Sequence, residues 1–141
     1  VNFNENEIVT LDIAIRKVED GVFAAGASFQ YRHVEGGSYR YEPFKVASLY
    51  IDNQDVTSTN KCILHALEQL SSEIPDDTKL VRIRSDMPHF HRGMKLKKIL
   101  EPTFNKKVVI RIVPMLSRKH EEISLLINDA ILRKESVVSD I

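Results

Sequence analysis

The chain has 141 residues, 43 % of them hydrophobic and 28 % charged, enough to bury one ordinary core and too few for two typical domains. Its 20 basic and 20 acidic side chains leave a formal charge of zero, so attraction to nucleic acid or membrane has to come from a local patch. The single cysteine, Cys62, excludes an internal disulfide framework and a thiolate zinc cluster, and no apolar run approaches the roughly eighteen residues of a membrane span.

These features, with a polar start at Val1-Asn2-Phe3-Asn4 that is no signal peptide, predict a soluble intracellular protein with no membrane partner. The opening on Val1 and the unpatterned stretch from Glu135 to Ile141 are read as signs of a piece of a larger protein. The expected organisation is one domain over residues 1–134 and a C-terminal tail over 135–141.

From Glu7 to Lys17 apolar residues alternate or run together (Ile8, Val9, Leu11, Ile13, Ile15), and the run stops at Glu19-Asp20-Gly21 before a second one, Val22 to Tyr31. Asp-Gly between two such runs is a hairpin signal, because the turn needs positive φ. His33 to Ser38, with Gly36-Gly37, repeats the signal before a third extended stretch, Tyr39 to Asp52. The three make an antiparallel meander, with Pro43 predicting an irregularity or an edge in the third strand.

Thr57-Ser58-Thr59-Asn60 supplies capping side chains for a helix whose Ile63, Ala66, Leu67 and Leu70 share one face; it should end near Ser71-Ser72, before Pro75. Leu80 to Ser85 alternates as a strand. His91 to Leu100 reads as a short basic helix stopped by Pro102, and Val108 to Val113 as a further strand. Ile123, Leu126, Ile127, Ala130 and Ile131 mark a last helix. The order predicts an α/β fold with a mixed five-stranded sheet: three antiparallel strands, then two that helical crossovers force to be parallel.

Several stretches carry a resemblance to the ribonuclease H-like superfamily. Thr57-Ser58-Thr59-Asn60-Lys61 followed by His65-Ala66-Leu67-Glu68-Gln69-Leu70 looks like the polar lead-in and Ala-Leu-rich first helix of bacterial and retroviral-type ribonucleases H. Val81-Arg82-Ile83-Arg84-Ser85-Asp86 is similar to a fourth strand that ends in Ser-Asp or Thr-Asp. Val113-Pro114 resembles the strand end that carries a Val-Pro-Gly-His element. The likeness spans residues 7 to 134.

The resemblance implies a specific chemistry, in which four carboxylates hold two divalent cations, magnesium or manganese, that activate water against a phosphodiester. Asp12 fits the first-strand aspartate and Asp86 the one ending the fourth strand. The helix glutamate, however, aligns with Ile63, the final aspartate with Leu126, and the Gly-His with Met115-Leu116. Asp129, three residues beyond Leu126, could supply a third carboxylate on a nearby helix face. Glu68 sits about 140° around its helix from Ile63 and needs a register error to reach the site.

Asp12 also has a structural reading. Alternation puts Thr10, Asp12 and Ala14 on one face of the first strand, and Arg82, Arg84 and Asp86 on one face of the fourth. If those faces coincide, guanidinium groups lie where cations would sit, and arginine beside carboxylate repels a divalent ion.

The leading expectation is therefore a non-catalytic ribonuclease H-like domain, without metal or other cofactor, kept as a protein-interaction or scaffolding module in a larger nucleic-acid-associated protein, nuclear location included. One rival is an active nuclease or strand-transfer enzyme that uses Asp12, Asp86 and Asp129 with magnesium or manganese. A second, allowing a retroelement-derived remnant, binds nucleic acid through Arg92, Lys95, Lys97 and Lys98, joined by Lys106 and Lys107. The bland alternative for that patch is a solvated helix face.

Other features stay in the background. His89 and His91, with Asp86 just before them, are too few for a zinc site and read as a polar loop. His65 and His120 have no serine or cysteine nucleophile in a recognisable turn. Phe29, Tyr31, Tyr39, Tyr41, Phe44 and Tyr50 cluster in the meander, where they either pack together or present an aromatic contact surface. The meander also has to end in an edge strand, open to a partner strand or to a second copy in a homodimer.

Overall fold

The computed structural model describes residues 4–141, with backbone alone at Arg92 and Gly93. Strands β1 (Ile8–Glu19), β2 (Val22–Glu35) and β3 (Ser38–Asp52) are followed by α1 (Thr59–Ser71), β4 (Leu80–Ser85), α2 (Gly93–Phe104), β5 (Lys107–Ile112), α3 (Ser117–Arg133) and β6 (Val137–Asp140). The sheet order is β5-β4-β1-β2-β3-β6. β1, β2 and β3 form the antiparallel meander, while β4 runs parallel to β1 and β5 parallel to β4.

Local chemistry sets the turns and caps. The β2–β3 loop is Gly36-Gly37, and both have positive φ (55° and 83°), the condition a type I′ hairpin turn imposes. α1 starts where Ser58 accepts a hydrogen bond from the Lys61 amide through its hydroxyl. That bond satisfies one of the four amides every helix leaves unpaired, so Ser58→Ala is expected to lower stability by about 1 kcal/mol in urea melts. An unchanged midpoint would count against the cap.

Alternation then sorts side chains onto two faces. Val9, Leu11, Ile13, Phe23, Ala25, Ala27, Phe29, Val81 and Ile83 turn to one side, buried under Cys62, Ile63, Ala66, Leu67 and Leu70 of α1 and under Leu100 and Phe104 of α2. Each such large side chain contributes roughly 1.5–3 kcal/mol by leaving water. α3 lies on the opposite side, over β2 and β3 and touching β1, with Ile123, Ile127 and Ala130 against Ala14, Ala24 and Tyr50. Helix and sheet meet most closely at Gly26, where a Cβ would stand 2.6 Å from the Ile123 carbonyl oxygen and 3.0 Å from Leu126 Cβ.

The sheet has six strands, not five. Residues 135–141, expected to be a tail, carry β6, which pairs antiparallel with Lys45–Ser48. α3 ends at Lys134 in a left-handed conformation (φ 54°), and Ser136 Oγ then bonds the Tyr50 backbone as both acceptor and donor, turning the chain back onto β3. Pro102 does not stop α2: the helix runs through it to Phe104, whose ring is buried in the core and anchors the last turn. At Pro43 the predicted irregularity is a bulge, because the register passes from Phe29↔Lys45 to Gln30↔Pro43 and leaves Phe44 as the extra residue.

Candidate functional site

A cleft of about 640 Å³ opens between the sheet and the start of α3. Its floor is Asp12 of β1, Gln30 of β2, Tyr41 and Pro43 of β3 and Arg84 of β4; its wall is Val113 to Leu116 and Arg118, Lys119 and Glu122 of α3. Strand pairing brings the polar floor together. Asp12 lies opposite Arg84 in the β1–β4 ladder and Ser28 in the β1–β2 ladder, and Gln30 lies opposite Thr10. The faces of β1 and β4 therefore coincide, the condition on which the structural reading of Asp12 rested.

The Asp12 carboxylate is buried and both its oxygens are engaged. Arg84 Nε donates to Oδ1 at 2.7 Å and Nη2 to Oδ2 at 2.9 Å, a bidentate pair, and Gln30 Nε2 donates to Oδ2. The Lys119 ammonium is 4.0 Å from Asp12 Oδ2, 3.2 Å from Glu122 Oε2 and 3.4 Å from Gln30 Oε1. Lys119 thus bridges the two carboxylates of the cleft. Burial by itself would weaken the charge on Arg84; the hydrogen bonds and attraction of Asp12, helped by Tyr41, outweigh it and hold that pKa above its ordinary value. The guanidinium also lies 4.4 Å above the Tyr41 ring.

This donor set does not suit the divalent cations that the resemblance implies. A hard cation needs several free oxygens, whereas Asp12 and Glu122 are already neutralised by fixed guanidinium and ammonium groups that repel it. Asp86 is exposed past the end of β4, and Asp129 accepts from Arg133 Nε one turn along α3 at 2.9 Å. Neither lines the cleft, and among the described residues no three His, Cys, Asp or Glu side chains gather as a metal site. Ile63 of α1 is buried in the core on the far side of the sheet, and Leu126 packs over Gly26. Sequence reading missed Gln30, Lys119 and Glu122. The one signal for Gln30 was a polar residue amid an apolar strand, and nothing local marks the other two.

The basic segment divides. Lys95 and Lys98 are exposed, Lys97 is half-buried, and among the described residues none has a carboxylate within 4.0 Å. Lys106 is committed to structure, donating to the Asp76 and Thr78 carbonyls at 3.2 and 2.8 Å, while Lys107 is exposed at the start of β5. The Arg92 side chain lies outside the described residues.

His89 and His91 occupy a 3-10 turn, Pro88–Arg92, where His91 Nδ1 bonds the Pro88 carbonyl at 2.6 Å. His65 is half-buried on α1 and His120 exposed on α3. The meander aromatics also split. Phe29, Tyr31 and Phe44 pack into the core side, with Tyr31 and Phe44 stacked at 4.4 Å. Tyr50 packs under α3, and Tyr39 is exposed beside Arg32. Cys62 is a core residue whose thiol burial pushes up to about 12.

No family model matches the sequence, and neither does any curated protein. The structure is similar over its full length to LC9-RNase H1, a type 1 RNase H with the type 2 active-site motif, with a TM-score of 0.64, 12 % identity and 80 % of that chain covered. It is also similar to LC11-RNase H1 in complex with RNA/DNA hybrid, with a TM-score of 0.50, 19 % identity, and 90 % of this chain and 97 % of that one covered. The chain has the ribonuclease H-like fold.

Proposed function

We propose that the chain is a non-catalytic ribonuclease H-like domain that serves as a protein-interaction or scaffolding module within a larger nucleic-acid-associated protein. The observation that carries this reading is the bidentate Arg84–Asp12 pair with Lys119 beside it, which supplies from the protein itself the positive charge that cations would otherwise bring. A cofactor-free domain follows from the same pair. The hybrid bound to LC11-RNase H1 supports the nucleic-acid setting.

The test is direct. Incubated with an RNA/DNA hybrid and either magnesium or manganese, the protein is expected to release no product, and manganese is expected to leave its melting temperature unchanged. Cleavage that Asp12→Asn abolishes would overturn the proposal.

A second reading, sequence-independent binding of nucleic acid along α2, is favoured by Lys95, Lys97 and Lys98, which among the described residues have no carboxylate within 4.0 Å. It requires affinity that falls steeply with salt and falls again when those three are neutralised.

A further inference from the structure

β5 ends the sheet on one side, and a groove of about 460 Å³ runs along it. Five consecutive β5-side residues, Val108 to Ile112, line this groove together with Phe90, His91, Met94 and Lys97. Successive strand residues point to opposite faces, so a groove that touches all five follows the strand's backbone rim and neither of its faces. Lys107 N–H bonds back to Lys79 O and Val113 N–H to Ser85 O, both on the β4 side. Alternation then turns the amides of Val108, Ile110 and Ile112 outward. Glu101 Oε2 accepts from the Val108 amide at 3.2 Å, and among the described residues no partner meets those of Ile110 and Ile112.

We propose that this groove takes an extended acidic and apolar segment of a partner protein, added as a further strand beside β5. The proposal rests on the reading of the domain as a protein-interaction module and names the surface and the partner's chemistry. Charge and apolar exposure select the occupant. Met94 is 75 % exposed and Ile112 46 % exposed, and they offer contacts for alternate apolar side chains of an added strand. Among the described residues, Lys97 and Arg111 are the fully cationic groups of the lining, and none of the lining residues is acidic. A second copy brought to the same rim would set Arg111 and Lys107 against cations like themselves, the arrangement by which edge strands resist self-pairing. An acidic segment meets those cations with opposite charge.

The experiment uses a fluorescein-labelled hexapeptide, Ile-Glu-Val-Glu-Ile-Asp, its counterpart Ile-Lys-Val-Lys-Ile-Lys, and an acidic version N-methylated at alternate residues. Only the unmethylated acidic peptide should raise the anisotropy, and the amide resonances of Ile110 and Ile112 should move most. Lys97→Glu with Arg111→Glu should weaken binding by about tenfold or more. Ile112→Pro, which removes an outward amide without touching the ladder to β4, should abolish binding while leaving the melting temperature near that of the parent chain.

Equal binding of acidic and basic peptides, shifts centred elsewhere, displacement by a ten-nucleotide oligouridine, self-association cured by Ile112→Pro, or no binding at millimolar peptide would each overturn the inference. None of those results would alter the hybrid-cleavage assay, so the groove and the non-catalytic reading fail separately.

Discussion

Arg84→Ala is expected to destabilise the fold by about 3 kcal/mol, because it leaves the buried Asp12 carboxylate with only Gln30 and a lysine 4.0 Å away. The reverse change, Asp12→Ala, should cost less. The stranded guanidinium has an 18 % exposed side chain and the Tyr41 face to rest on, and so keeps a route to water. Replacing both partners by apolar residues of similar volume, Asp12→Leu with Arg84→Met, should recover most of the loss, since a buried ion pair gains little over a well-packed apolar pair. Urea melts of the three variants decide the matter. Losses that simply add, with no recovery in the double variant, would mean that the two side chains act independently and that the pair does not organise the cleft.

Gly26→Val is expected to cost about 1–3 kcal/mol and to loosen α3 from the sheet. The nearest atom to the added Cβ is the Ile123 carbonyl oxygen at 2.6 Å, which belongs to helix backbone and cannot rotate away as a flexible side chain would. Relief therefore requires moving the helix, which carries Lys119 and Glu122 of the cleft with it. Hydrogen exchange should show the loss concentrated in α3. A variant as stable as the parent, with α3 amides equally protected, would refute the close-approach argument.

Much of this architecture was legible in sequence because its signals are local or periodic. Gly36-Gly37 wrote the second hairpin and Ser58 the start of α1, while alternation put Asp12 and Arg84 each on one face of its strand and the resemblance alone implied that the two strands are neighbours. What was missed depends on partners far along the chain. β6 is four residues long and finds its place only against Lys45–Ser48, which no local pattern records. Lys106 looked like part of a basic patch, yet the carbonyls that hold it lie in the loop before β4. Lys119 reaches Asp12 only because α3 descends onto Gly26, a matter of packing distance that hydrophobic periodicity does not carry.

The return strand β6 makes the two margins of the sheet unlike one another. It occupies the outer margin of β3 over Lys45–Ser48 and is itself short and mostly solvated, with Ile141 N–H bonded to Phe44 O at its close. If the proposed guest strand adds at the opposite margin, beside β5, the domain would have a valence of one. On that proposal it would receive a single guest and then terminate, unlike a sheet equally open at both margins, which could nucleate a fibre.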